Sequence, residues 1–183
     1  MVNQKLQFLN ISWNYISADS INDITEVIQK NQNLEKIAMQ HNRLGEGSFT
    51  RLAKVISTHK SLTYIDISQN LLKNAEFVEL FSAVQSDTCK MATFHCRKNM
   101  IGGDKIDRVL NCHSKHLCRI DFSQNKLTET NGQTLLTYTK ANVWIEELLL
   151  DKNIQISAQV INNITLECQK NILIKKKIMA QLP

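Results

Sequence analysis

The sequence predicts an α/β solenoid, a right-handed arc with a parallel sheet on its concave face and helices on its convex face. Two observations carry that expectation. An eleven-residue phrase, apolar at its first, fourth and sixth places and asparagine at its ninth, returns six times, beginning at Leu6, Leu34, Leu62, Met91, Leu117 and Ile145. Its asparagines, Asn14, Asn42, Asn70, Asn99, Asn125 and Asn153, stand 28, 28, 29, 26 and 28 residues apart, the period of stacked supersecondary units. Between phrases the apolar period changes from two to about 3.6, the change that separates strand from helix.

Each phrase opens with a short strand. In Leu62-Thr63-Tyr64-Ile65-Asp66-Ile67 apolar and polar residues alternate, which turns Ile65 and Ile67 inward and Tyr64, Asp66 and Ser68 outward. The asparagine ends the strand. Its amide has both donors and an acceptor, so a column of such amides can bond backbone groups left over where successive units turn. The next apolar residue, Leu72 in this unit, re-enters the core.

Helices follow on the return path. Apolar residues stand at helical spacing in Ile21, Ile24 and Ile28; in Phe49, Leu52, Ala53 and Ile56; in Phe77, Leu80, Phe81 and Val84; and in Ile106, Val109 and Leu110. The fifth unit keeps only Leu135 and Leu136, with Gly132 and Thr139 at the outer places, so its helix is expected to be the weakest. Asp19, Ser48, Asp104 and Ser157 are the expected N-caps. Strand, turn and helix repeated with one hand require parallel strands, since each helix carries the chain back to begin the next strand beside the last.

The two ends differ. Residues 157–183 are read as a C-terminal capping helix and tail, with Val160, Ile161, Ile164, Cys168 and Ile172 at helical spacing before Lys175-Lys176-Lys177. Gln155, where an apolar residue is due, marks the sixth unit turning into that cap. The first strand begins within a few residues of Met1 and leaves Leu6, Leu9 and Ile11 on an open edge, where a partner or a further segment is expected. Residues 1–183 therefore read as a single domain of six repeats.

These phrases resemble the leucine-rich repeat family, in its ribonuclease-inhibitor-like class with units of about 28 residues, over nearly the whole chain. Met91 and Cys96 depart from the pattern by replacing leucines in the fourth unit. The family includes inhibitors, immune sensors, actin regulators, a Ran GTPase activator and ciliary scaffolds, which share a curved surface presented to proteins. The resemblance implies a non-enzymatic protein-protein interaction scaffold, a subunit of a larger eukaryotic ciliary or cytoskeletal assembly. Its place would be intracellular, in the cytoplasm, with the cilium and axoneme as the specific expectation. The alternatives are a GTPase-activating protein resembling the Ran activator, using Arg43, and an autonomous inhibitor or sensor.

Other chemistries find little support. No apolar run reaches the length of a bilayer-spanning helix, and no secretory signal precedes the first repeat. The net charge of +5 is scattered and forms no basic stripe with interleaved aromatics, which makes nucleic-acid binding a minority reading. Cys89, Cys96, Cys112, Cys118 and Cys168, with His95, His113 and His116 nearby, lack paired metal-ligand spacing. The repeat register explains Cys96 and Cys112 as small core residues. Gly102-Gly103 reads as turn geometry and no phosphate loop, nucleophile elbow or helix-borne metal motif is present, so no catalytic, metal or cofactor site is expected.

Function is therefore sought on the outward places of the strands. Trp13 and Tyr64 are the candidate aromatic anchors, and Arg97 and Arg119 the candidate hot spots. His95 belongs to the same basic centre, beside acidic Asp121, Glu147 and Asp151, and Asp66 is a further candidate on the outward side of the third strand. The competing expectation is a merely solvated wall, with contact made by the helices or at the open edge.

Overall fold

The computed structural model describes residues 3–104, 106–110 and 114–181. Cys112 and His113, weighed above as core thiol and metal ligand, lie outside the described residues. Six three-residue strands, β1 (Phe8–Asn10), β2 (Lys36–Ala38), β3 (Tyr64–Asp66), β4 (Thr93–His95), β5 (Arg119–Asp121) and β6 (Glu147–Leu149), form one sheet in chain order. Every pairing is parallel and in repeat register, so Leu9, Ile37, Ile65, Phe94, Ile120 and Leu148 lie side by side. The return paths carry α1 (Ile21–Lys30), α2 (Ser48–Ile56), α3 (Asn74–Val84), a 3₁₀ turn at Ile106–Val109, α4 (Glu129–Ala141) and α5 (Ala158–Ala180). The result is an arc of stacked strand-and-helix units around one parallel sheet, the fold expected of a leucine-rich-repeat solenoid.

The asparagine column is formed, and each internal amide ties two units together. Asn125 accepts from the backbone N–H groups of Asn99 and Ile101 and donates to the carbonyls of Cys96 and Phe122, all at 3.0–3.2 Å. Asn99 and Asn153 repeat the pattern one unit to either side. Asn14, in the first unit, is exposed and its amide reaches only carbonyls of its own unit, Ile11 and Ser12. At the opposite turn buried polar side chains hook three of the units to the ones before: Asn31 donates to the Asn3 and Leu6 carbonyls, His59 lies 2.9 Å from the Asn31 carbonyl, and Asn171 bonds those of Thr139, Asn142 and Ile145. Asn171 thus takes the last core place on α5, ahead of half-buried Ile172.

The expectation for the weakest helix is corrected. α4 has 13 residues and a capping box between Thr128 and Asn131, whereas among the described residues of the fourth unit's return path there is only a 3₁₀ turn at Ile106–Val109. Gly132 and Thr139 do not weaken α4, because they let α5 pack close. A Cβ on Gly132 would stand 2.9 Å from Ile156 Cγ2 and 3.0 Å from Val160 Cγ1, while the buried Thr139 hydroxyl returns its hydrogen bond to the Leu135 carbonyl. Neighbouring units meet across the fourth. Phe122 of the fifth unit reaches across it to Phe77 and Phe81 of the third, each at 5.5 Å between ring centroids, and small Cys96 lies buried between the two units.

The caps divide. Ser157 caps α5 through the Val160 N–H, as expected. Ser48 instead is the first residue of α2 behind Gly47, which adopts φ 83°, and Asp19 sits in a 3₁₀ turn ahead of α1, whose cap position is Ser20. Gln155 is exposed and Ile156 is buried in its stead, one residue late. Leu6, Leu9 and Ile11 are only partly buried, and among the described residues nothing pairs with the outer edge of β1.

Candidate functional site

The outward strand positions form a wall whose two halves differ. In the first half, Phe8, Lys36 and Tyr64 lie in register across β1, β2 and β3, and beside them Asn10, Ala38 and Asp66 do the same. Ala38 is too short to fill its place between longer neighbours. A hollow of about 460 Å³ results, lined by Gln7, Phe8, Glu35, Lys36, Ala38 and Tyr64. Phe8 is 51% exposed in it. Phe8 and Lys36 stand among the outward places of the sequence, yet neither belongs to the expected site residues; the short Ala38 beside the row of Phe8, Lys36 and Tyr64 was the available signal.

The expected site residues fall into three settings. Tyr64 joins the two halves, with its ring edge-on to His95 at 5.4 Å and burial together with Asp66 raising its phenol pKa. His95 and Asp121 pair in register, as do Arg119 and Glu147, so basic and acidic groups alternate across β4, β5 and β6. Arg97, Arg119 and Glu147 are exposed there. Arg119 also stands 3.6 Å from Glu146, a pair too open to water to add much stability.

Asp66 and Trp13 sit differently from expectation. Asp66 is buried, because its carboxylate turns back to accept the Ser68 N–H at 2.9 Å, a local turn that Asp121 repeats with Ser123 at 2.8 Å. Trp13 lies beyond the end of β1, at φ 61°. The residue before every asparagine shares this left-handed backbone: Trp13, His41, Gln69, Lys98, Gln124 and Lys152 have φ between 53° and 61°. That conformation costs non-glycine residues about 1 kcal/mol, and it swings their side chains off the wall onto its rim. There Trp13 stacks on His41 at 3.9 Å, and Tyr15 carries the Arg43 guanidinium over its ring at 4.6 Å.

The remaining titratable groups point to structure. Burial pushes the thiols of Cys89 and Cys96 up, and that of Cys168 to about 11. Lys175 loses some of its charge preference to burial, but Glu146 and Cys118 outweigh this and hold it above the usual lysine value. Among the described residues no three His, Cys, Asp or Glu side chains converge as metal ligands, and no helix is long and apolar enough to cross a membrane.

No protein-family model matches the chain, and no curated protein matches it. Solved structures do. It is similar to the actin-binding site 2 of leiomodin-1 with TM-score 0.59 and 14% identity, over 98% of this chain and 88% of that one. The C-terminal domain of tropomodulin from Caenorhabditis elegans matches with TM-score 0.60 and 12% identity, over 98% and 93%. An internalin from Listeria monocytogenes matches with TM-score 0.54 and 15% identity, over 88% of this chain and 46% of its own. At these identities the likeness is one of fold.

Proposed function

We propose that this chain is a non-enzymatic protein-binding scaffold whose concave wall docks a partner within a cytoskeletal or ciliary assembly of a eukaryotic cell. The observation that carries the reading is the wall itself: an open hollow with exposed Phe8 and half-buried Tyr64 beside a band of alternating charge from Arg97, Arg119, Asp121 and Glu147. An aromatic-lined depression flanked by complementary charges suits a protein surface, with the aromatics supplying buried area and the charges register. An actin-like subunit is the first partner to test, because the leiomodin-1 structure of the same fold is described as an actin-binding site.

The test is affinity purification of the tagged chain with quantitative mass spectrometry, beside sedimentation with filamentous actin. The scaffold reading expects a fixed set of partners that weakens at least tenfold with Arg97→Glu plus Arg119→Glu, or with Phe8→Asp. Unchanged recovery with both variants removes the concave wall as the binding face. The GTPase-activator alternative expects faster nucleotide hydrolysis that Arg43→Ala abolishes.

A further inference from the structure

The rim beside the wall carries a second surface. The residue after each asparagine stands there, one per unit: Tyr15, Arg43, Leu71, Met100, Lys126 and Ile154. All four apolar members are exposed, Ile154 at 94% and Tyr15 at 81%, with Leu71 at 47% and Met100 at 42% between them. Their order is apolar, cation, apolar, apolar, cation, apolar, the same read from either end. Nothing in the core requires this, since the neighbouring asparagines and the following Leu44, Leu72, Ile101 and Leu127 already fill the interior.

The row is also rigid. The backbone N–H of Arg43 donates to the Ile16 carbonyl, that of Leu71 to Leu44, that of Met100 to Leu72 and that of Lys126 to Ile101, at 2.7–3.1 Å. The four inner side chains therefore project from fixed points, one strand spacing apart, and Tyr15 and Ile154 extend the row at its ends. Five spacings of about 4.8 Å make a ridge roughly 24 Å long. An α-helix covers that length in about 16 residues, and its pitch of 5.4 Å brings nearly one turn opposite each unit.

Charge selects the occupant. The parallel row of left-handed residues adds Lys98 and Lys152 to Arg43 and Lys126, and neither row contains a carboxylate. We infer that this ridge binds an acidic amphipathic helix of a partner protein, presenting apolar side chains to Tyr15, Leu71, Met100 and Ile154 and carboxylates to Arg43 and Lys126. An anionic membrane fits less well, because a ridge one side chain wide would bring Asp151 and Glu147 of the adjoining wall toward the same lipid surface. The ridge is separate from the wall and uses none of its residues.

The probe is a synthetic helical peptide with one residue per turn facing the ridge in the order Leu, Glu, Leu, Leu, Glu, Leu. Its binding to the full chain is read by fluorescence anisotropy. Saturable binding is expected, at least tenfold weaker for Arg43→Glu plus Lys126→Glu and restored when the two glutamates of the peptide become lysines. Leu71→Asp plus Met100→Asp abolishes it, while unchanged urea midpoints show that the exposed substitutions leave the fold intact. Absence of saturable binding overturns the assignment, as does equal binding of a scrambled peptide or capture by vesicles of anionic phospholipid in place of the peptide. Arg97→Glu plus Arg119→Glu leaves the peptide affinity unchanged, so a failure of the ridge and a failure of the wall are told apart.

Discussion

Replacing Asn125 by alanine tests whether the amide column holds the arc together. The side chain satisfies two N–H groups of the fourth unit, at Asn99 and Ile101, and two carbonyls, at Cys96 and Phe122. All four lie where water has little access, beside a residue only 9% exposed. At about 1 kcal/mol for each bond removed, the loss comes to roughly 4 kcal/mol, a large part of the 5–15 kcal/mol that a domain commonly has. Asn14→Ala is the internal control, because that amide is exposed and bonds only two carbonyls of its own turn. Its cost is expected to stay below about 1 kcal/mol, since solvent replaces the lost bonds. Urea unfolding followed by far-ultraviolet circular dichroism measures both. Equal losses in the two variants, or a loss under about 1 kcal/mol for Asn125→Ala, would refute the argument that these amides act by satisfying buried backbone of the adjoining unit.

Further outcomes are expected at three places. Gly132→Ala forces its methyl against Ile156 and Val160 and destabilises the chain by about 1–3 kcal/mol in the same assay, whereas Gly45→Ala, whose Cβ meets nothing nearer than 4.0 Å, costs far less. Of the four described cysteines, iodoacetamide at pH 8 labels half-buried Cys118 first, and peptide mapping finds Cys89, Cys96 and Cys168 protected until the chain is unfolded, because burial disfavours their thiolates. Burial raises the pKa of Glu76 despite the backbone N–H groups of Gly47 and Phe49 that bond it. A carboxyl raised in the folded state favours stability below its unfolded value of 4.5, and that contribution is lost as pH rises through the folded value. Glu76→Gln should therefore gain on the natural chain between pH 3.5 and pH 7; a gap that stays constant or narrows contradicts the assignment.

The repeat was legible because its determinants are local. Each asparagine and each inward residue stands at a fixed offset, and parallel register follows from six equal periods. The fourth return path was not, because Ile106, Val109 and Leu110 have helical spacing whether or not a full helix forms; the contact of Phe122 with Phe81 across the unit is invisible in its own residues. α4 was misjudged for the converse reason: Gly132 reads as a weak core residue until α5 is laid against it. Of the wall, the charged band at His95, Arg97, Arg119, Asp121 and Glu147 followed from alternation. The hollow did not, since it depends on a short Ala38 beside the row that brings together Phe8 and Tyr64, 56 positions apart in sequence. Trp13 was assigned to the wall because the left-handed turn that carries it to the rim is made here by six residues other than glycine.

The phenylalanines that bridge the fourth unit alter how the arc should come apart. A stack in which every coil touches only its immediate neighbours frays from its ends one coil at a time. Here Phe77 and Phe81 are in direct contact with Phe122, two coils away, so the centre has a longer reach than the flanks. Amide hydrogen exchange should then resolve one slow block running from α3 to β5, opening together, with the outer coils exchanging earlier and independently. The coil whose described return path holds a 3₁₀ turn would then lie in the middle of the most persistent folding unit.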